Sequence, residues 1–187
     1  MRETSMWCSS RWRAEHLLLS LALCCAPGAW ANPALLPGSR LQGEATLRFI
    51  GMRIYHARLW AQPDFHTERA VDQALVLELE YLRDLDGRAI AERSLKEMRR
   101  EGPISEAQGQ QWLGHMQRLF PNVKAGDRIS GLNTPGQGVR IWHNGQALGR
   151  VDDAEFARRF FGIWLAPTTS EPAMRQVLLG QGSPDLR

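Results

Sequence analysis

Few side chains in this sequence sit at spacings that do chemistry. Past residue 31 the histidines are His56, His66, His115 and His143, far apart along the chain and without an HExxH or comparable ligand spacing. No metal site is therefore expected. No GxSxG turn presents a nucleophilic serine. Gly136-Gln137-Gly138 lacks the later glycine and the strand-to-helix setting of a phosphate loop, so it reads as a turn and no cofactor is expected. Arg99-Arg100 and Arg158-Arg159 read as solvated helix faces. Asp84, Asp86, Asp152 and Asp153 stand beside helix starts, where capping and the helix dipole account for them. Arg48 is different. It lies in an apolar strand between Leu47 and Phe49, with Tyr55 seven residues later across a turn. A guanidinium there either binds a carboxylate or polarises a carbonyl through its planar donor fork, or points outward from a half-exposed sheet.

The elements that must position these residues follow from periodicity. From Leu41, alternation places Leu41, Gly43, Ala45, Leu47 and Phe49 on one strand face, with Glu44, Thr46 and Arg48 on the other. A turn at Gly51-Met52 leads into a strand over 53–61, with Tyr55, Ala57, Leu59 and Ala61 on one face. Ile54, His56, Arg58 and Trp60 take the opposite face. A polar loop over 62–73 precedes a third strand over 74–82. Helices are predicted over 88–100 and, from the capping box Ser105-Glu106-Ala107-Gln108, over the segment carrying Trp112, Leu113, Met116, Leu119 and Phe120. Strands follow over 127–132, 139–143 and 146–151, the last two joined by Asn144-Gly145. A helix with Phe156, Phe160, Phe161, Ile163 and Trp164, and a short one from Pro172 to Leu179, close the domain. The order β-β-β-α-α-β-β-β-α-α predicts an α+β fold, an antiparallel sheet with helices packed on one face.

Composition narrows the function classes. The 187 residues carry 23 Lys+Arg against 20 Asp+Glu, and 43% are apolar. That excludes collagenous and wholly disordered chains, and so even a balance argues against a nucleic-acid surface. Residues 1–31 read as a secretory signal peptide: Arg2, Arg11 and Arg13, then the apolar run 17–26, then Ala29-Trp30-Ala31 before a cleavage point. Leu21-Ala22-Leu23-Cys24 is a poor lipobox because Leu23 is too large. Cleavage after Ala31 predicts a periplasmic or secreted protein without stable membrane insertion, with a lead-in over 32–40, one domain over 41–180 and a flexible tail over 181–187. Cys8, Cys24 and Cys25 all fall in the leader, so the mature chain can use neither disulfides nor thiolates. Its stability rests on its core.

The hairpin from Gly43 through Arg48 to Ile54-Tyr55-His56-Ala57-Arg58-Leu59-Trp60 resembles the opening hairpin of the chalcone isomerase-like family. Leu85-Asp86-Gly87 before a helix, and Phe161-Gly162-Ile163-Trp164-Leu165 leading to Ser170-Glu171-Pro172, are similar to later features of that family. The resemblance implies an open-faced sheet-and-helix sandwich, and one of two functions. Its enzymes close a chalcone onto its enone with an arginine, a helix-borne Tyr and Asn, and a strand Thr. Its other members bind fatty acids through the arginine and a tyrosine. Carried over, Arg48 and Tyr55 become the ligand-binding residues, while Ile90 and Glu97 stand where the enzymes have Tyr and Asn. An apolar Ile90 donates no hydrogen bond to a developing enolate. The expectation is an exported, non-catalytic domain binding a small apolar or amphipathic ligand such as a fatty acid. The alternatives are an intramolecular lyase or isomerase on another substrate, and a cell-envelope interaction module without a pocket.

Overall fold

The computed structural model of the chain describes residues 34–182; the expected leader, its Ala31 junction and residues 183–187 of the expected tail lie outside them. Strands β1 (Arg40–Phe49), β2 (Met52–Ala61), β3 (Leu75–Tyr81), β4 (Arg128–Thr134), β5 (Gly138–His143) and β6 (Gln146–Val151) form one sheet in chain order. Every neighbouring pair is antiparallel. Helices α1 (Gly87–Met98) and α2 (Glu106–Leu119) lie between β3 and β4, and α3 (Ala154–Leu165) and α4 (Pro172–Leu178) follow β6. This is the α+β order that the sequence predicts. Helices α1, α2 and α3 start at side-chain caps. Asp86 accepts from the Ala89 N–H at 3.0 Å, Ser105 from Gln108 at 3.2 Å and Asp153 from Phe156 at 2.9 Å.

Registration across the sheet separates two faces. Ala45, Ala57, Leu79 and Ile129 lie in line, as do Leu59, Leu77, Gly131 and Ile141, and this face packs on the helices. The other face is polar. Arg58 sits among Glu44, Glu78 and Glu80 at 3.1, 3.2 and 2.9 Å, and Arg128 reaches Glu80 at 3.0 Å. The core is aromatic: Trp112 and Phe156 pack edge to face, Phe156 stacks on Phe160, and Phe160 meets Trp164 edge to face at 5.5 Å.

Two bulges in the first hairpin correct the simple alternation, and a third leaves Leu148 as an extra residue in β6. An extra residue in β1, Gln42, puts Leu41 opposite Trp60 on the outer face rather than with Gly43 and Ala45. The Gln42 amide then reaches the Leu179 carbonyl at the end of α4, 3.1 Å away. In β2 the extra residue is Ile54, between the pairs Leu47–Tyr55 and Arg48–Arg53. The hairpin turn is Ile50-Gly51 rather than Gly51-Met52. A further difference is Arg159. It is buried, donating to the carbonyls of Gly102 and Pro103 at 3.1 and 3.4 Å and to Glu155 at 3.2 Å. Orphan carbonyls after the turn Arg99–Glu101 draw it in.

Gly43 lets α4 approach β1, because a Cβ there would strike the carbonyl oxygens of Val177 and Leu178. Backbone cannot yield as a flexible side chain does. Gly43→Ala is expected to destabilise the domain by about 1–3 kcal/mol through overpacking, measured by chemical denaturation; an unchanged midpoint would show that α4 shifts freely.

Candidate functional site

A cavity of about 290 Å³ opens between the inner face of the sheet and helices α1 and α3. Leu47, Phe49, Ile54, Tyr55, Leu79, Tyr81 and Ile129 form its floor. The bulge at Ile54 lets two successive residues, Ile54 and Tyr55, both contribute, which regular alternation forbids. The roof comes from α1 with Ala89, Ile90, Arg93, Ser94 and Glu97, and from α3 with Phe160, Ile163 and Trp164. On α1 these positions recur at helical spacing, so one face of the helix supplies them all. Most of the wall is apolar.

The polar groups gather around Tyr55. The Trp164 indole N–H donates to the Tyr55 oxygen at 2.9 Å, so the phenol keeps its own O–H to donate. Tyr55 and Tyr81 meet edge to face, with ring centroids 5.9 Å apart. Burial pushes the Tyr55 phenol above its ordinary value. The Trp164 hydrogen bond opposes that shift, the charges of Glu171 and Glu97 add to it and Arg93 works against it. Burial raises Tyr81 likewise, and Tyr55 adds to the effect. Beside them, Arg93 Nη2 pairs with Glu97 Oε1 at 2.8 Å. The Glu97 side chain is only 9% exposed, and its second oxygen, Oε2, has no hydrogen-bond partner among the described residues. Arg100 Nε stands 3.8 Å from it. Ser94 is already satisfied by the Ile90 carbonyl at 2.8 Å.

Of the two expected ligand-binding residues, Tyr55 lines the cavity and Arg48 does not. Arg48 is exposed, directly opposite Arg53, on the outward side of the strand whose neighbours Leu47 and Phe49 face in. The guanidinium at the cavity is Arg93, which the sequence reading missed. Its signal was present: position 93 shares a helix face with Ile90 and Glu97, and both of those line the cavity. Neither group of α1 supplies the phenol or the amide that the enzymes of the resembling family use. Among the described residues no set of His, Cys, Asp or Glu is grouped to hold a metal, and no helix is long and apolar enough to cross a membrane.

A family model described as chalcone isomerase-like matches residues 39–180. An uncharacterized protein of Haemophilus influenzae (strain Rd) is 27% identical over 139 residues, spanning 74% of this chain and 67% of that protein. Among solved structures, a fatty-acid binding protein of Arabidopsis thaliana matches with a TM-score of 0.59 at 13% identity, over 77% of this chain and 88% of that one. At that identity the likeness is one of fold.

Tyr55 and Tyr81 are the two tyrosines of the whole sequence, so its phenolate absorbance reports on this site alone. Both phenols are raised in the folded protein above the ordinary value of about 10. Above that pH the unfolded chain loses protons that the folded chain keeps, so stability is full below about pH 10 and falls as pH rises further. An ultraviolet titration should show phenolate appearing together with loss of structure by circular dichroism. Ionisation of either tyrosine at its ordinary pH in a fully folded protein would contradict the burial described.

Proposed function

The chain belongs to the chalcone isomerase-like family, and on that premise we propose that it is a non-catalytic domain that binds a small apolar or amphipathic ligand such as a fatty acid. The observation that carries this reading is the apolar cavity with polar groups at one end. An interaction module without a pocket would have its sheet–helix interface filled; here the interface leaves about 290 Å³. An isomerase of the family's chemistry needs donors on α1, and Ile90 and Glu97 supply none.

The ligand's tail lies along Leu47, Ile54, Leu79 and Phe160, and its carboxylate meets the Tyr55 O–H and Arg93. Magnitudes divide the work between the two ends. Each buried methylene contributes about 0.8 kcal/mol, close to fourfold in affinity. A charge-assisted hydrogen bond contributes about 1.5–3 kcal/mol, against association costs on the order of 4–15 kcal/mol. The tail therefore sets affinity and the head sets orientation. The volume is at the lower edge of the roughly 300–1,000 Å³ usual for ligand pockets, which favours a modest chain. Glu97 Oε2, which accepts no hydrogen bond among the described residues, supports a second head group, a neutral hydroxyl that donates to Glu97 and accepts from Tyr55. The basic start, apolar run and Ala29-Trp30-Ala31 junction of the sequence support export to the periplasm or medium.

Calorimetry with straight-chain carboxylates of increasing length should show affinity rising about fourfold per methylene, then levelling when the cavity is full. Arg93→Ala should weaken carboxylates about tenfold or more and leave the matching alcohols nearly unchanged; Glu97→Gln should act on the alcohols instead. Binding of neither class, or equal loss for both in Arg93→Ala, would defeat the assignment, and stereoselective conversion of a chalcone to a flavanone would replace binding by catalysis. N-terminal sequencing of the secreted or periplasmic protein is expected to begin at Asn32. An intact leader on a soluble cytoplasmic pool would refute export.

A further inference from the structure

The β1–β2 turn carries side chains that the fold itself does not require. Phe49, Ile50 and Met52 are 51%, 80% and 45% exposed, next to one another at the tip. Ile50 and Gly51 have φ of 49° and 75°; the β5–β6 hairpin has the same turn at Asn144 and Gly145, with φ of 48° and 81°. Asn-Gly is the sequence this turn favours. A β-branched residue at positive φ is strained and rare. The same chain thus builds one geometry twice, once with the comfortable residue and once with an exposed isoleucine.

Charge at the tip is equally unaccounted for. Arg48 and Arg53 are exposed and directly opposite across the strands, a like-charge pairing that disfavours the hairpin. Arg83 adds a third guanidinium, resting on the Met52 thioether. None of the three pairs with a carboxylate among the described residues. Phe49 and Ile54 also line the cavity, so this tip stands at its mouth.

We propose that the tip of the β1–β2 hairpin docks on an anionic phospholipid surface, with Ile50 inserted among the acyl chains and Arg48, Arg53 and Arg83 on the headgroups. A second copy of the chain is the poorer occupant, since a symmetric contact would bring the same arginines face to face. A protein partner needs about 800 Å² on each side with matched shape, and a single turn offers far less. A lipid surface requires only apolar side chains that can insert and cations at headgroup depth. Docking would place the cavity mouth where an amphipathic ligand leaves the bilayer. That purpose rests on the ligand-binding reading; docking itself does not.

The test is vesicle sedimentation with the protein as purified, so that any retained leader is common to all variants. Vesicles of phosphatidylcholine with phosphatidylglycerol should bind it, and pure phosphatidylcholine should bind it much less. High salt should release it. Neutralising two arginines in Arg48→Gln/Arg53→Gln should weaken binding about 30-fold, at roughly fivefold per charge. Ile50→Asn should weaken it about tenfold or more while raising the thermal midpoint, because Asn relieves the strained turn. A variant that is more stable yet docks less separates docking from folding. Unchanged docking in Ile50→Asn, or equal binding to both vesicle types, would overturn the inference. So would self-association abolished by Ile50→Asn in a protein that ignores vesicles. Docking by a protein whose cavity takes neither carboxylates nor alcohols would still support it, and would remove only the ligand reading.

Discussion

A sheet covered by helices on one face and charged on the other must keep its two-residue alternation in phase across every pair of strands. A slip of one residue would exchange the apolar and ionic sets. β3 shows how tightly this holds: Leu75, Leu77, Leu79 and Tyr81 face the helices, while Glu78 and Glu80 join Arg58 on the far side. The phase breaks in the first hairpin at two single extra residues, and both breaks are used. Gln42 turns to the end of α4, and Ile54 turns into the cavity.

From that phase the cavity follows. Tyr55 lies one residue beyond the bulge, so its phenol points toward α3, where the Trp164 indole donates to it. Removing either partner would leave a buried polar group unpaired, at about 1–3 kcal/mol. Trp164 is in turn held edge to face by Phe160, which stacks on Phe156. The hydrogen bond at the floor of the cavity is thus continuous with the aromatic core. The site is as rigid as the packing behind it.

The helices are fixed to that core by polar clamps. Trp112 on α2 donates to Asp153 at 2.8 Å, tying α2 to the cap of α3. Arg175 on α4 donates to the Leu165 carbonyl at 2.7 Å, and Arg159 on α3 closes over the Gly102 and Pro103 carbonyls. The two arginines satisfy carbonyls at helix or turn ends that packing would leave without water. Glu97 and Glu101, on this side of the sheet, each keep one carboxylate oxygen without a hydrogen bond among the described residues. In Glu97, which lines the cavity, Oε1 pairs with Arg93 and Oε2 has Arg100 Nε at 3.8 Å.

Sequence alone determined the element order, the antiparallel α+β class, the helix caps and the inner residues of β2 and β3. Those depend on local rules: a period of two or 3.6, a capping side chain, an Asn-Gly turn. The family resemblance also pointed to Tyr55 and to the α1 positions Ile90 and Glu97, and all three line the cavity. Tertiary structure decided the rest. A bulge adds one residue without leaving a mark in composition, so the placement of Leu41 and Ile54 could not be read from alternation. Arg48 lies between Leu47 and Phe49 and Arg93 between Glu92 and Ser94, yet the first takes its strand's outward side and the second its helix's inward face. Burial of Arg159 likewise needed carbonyls from a turn more than fifty residues away in the chain. Long-range packing chooses which charged side chain faces a cavity, because only there are desolvation and its compensating partners set.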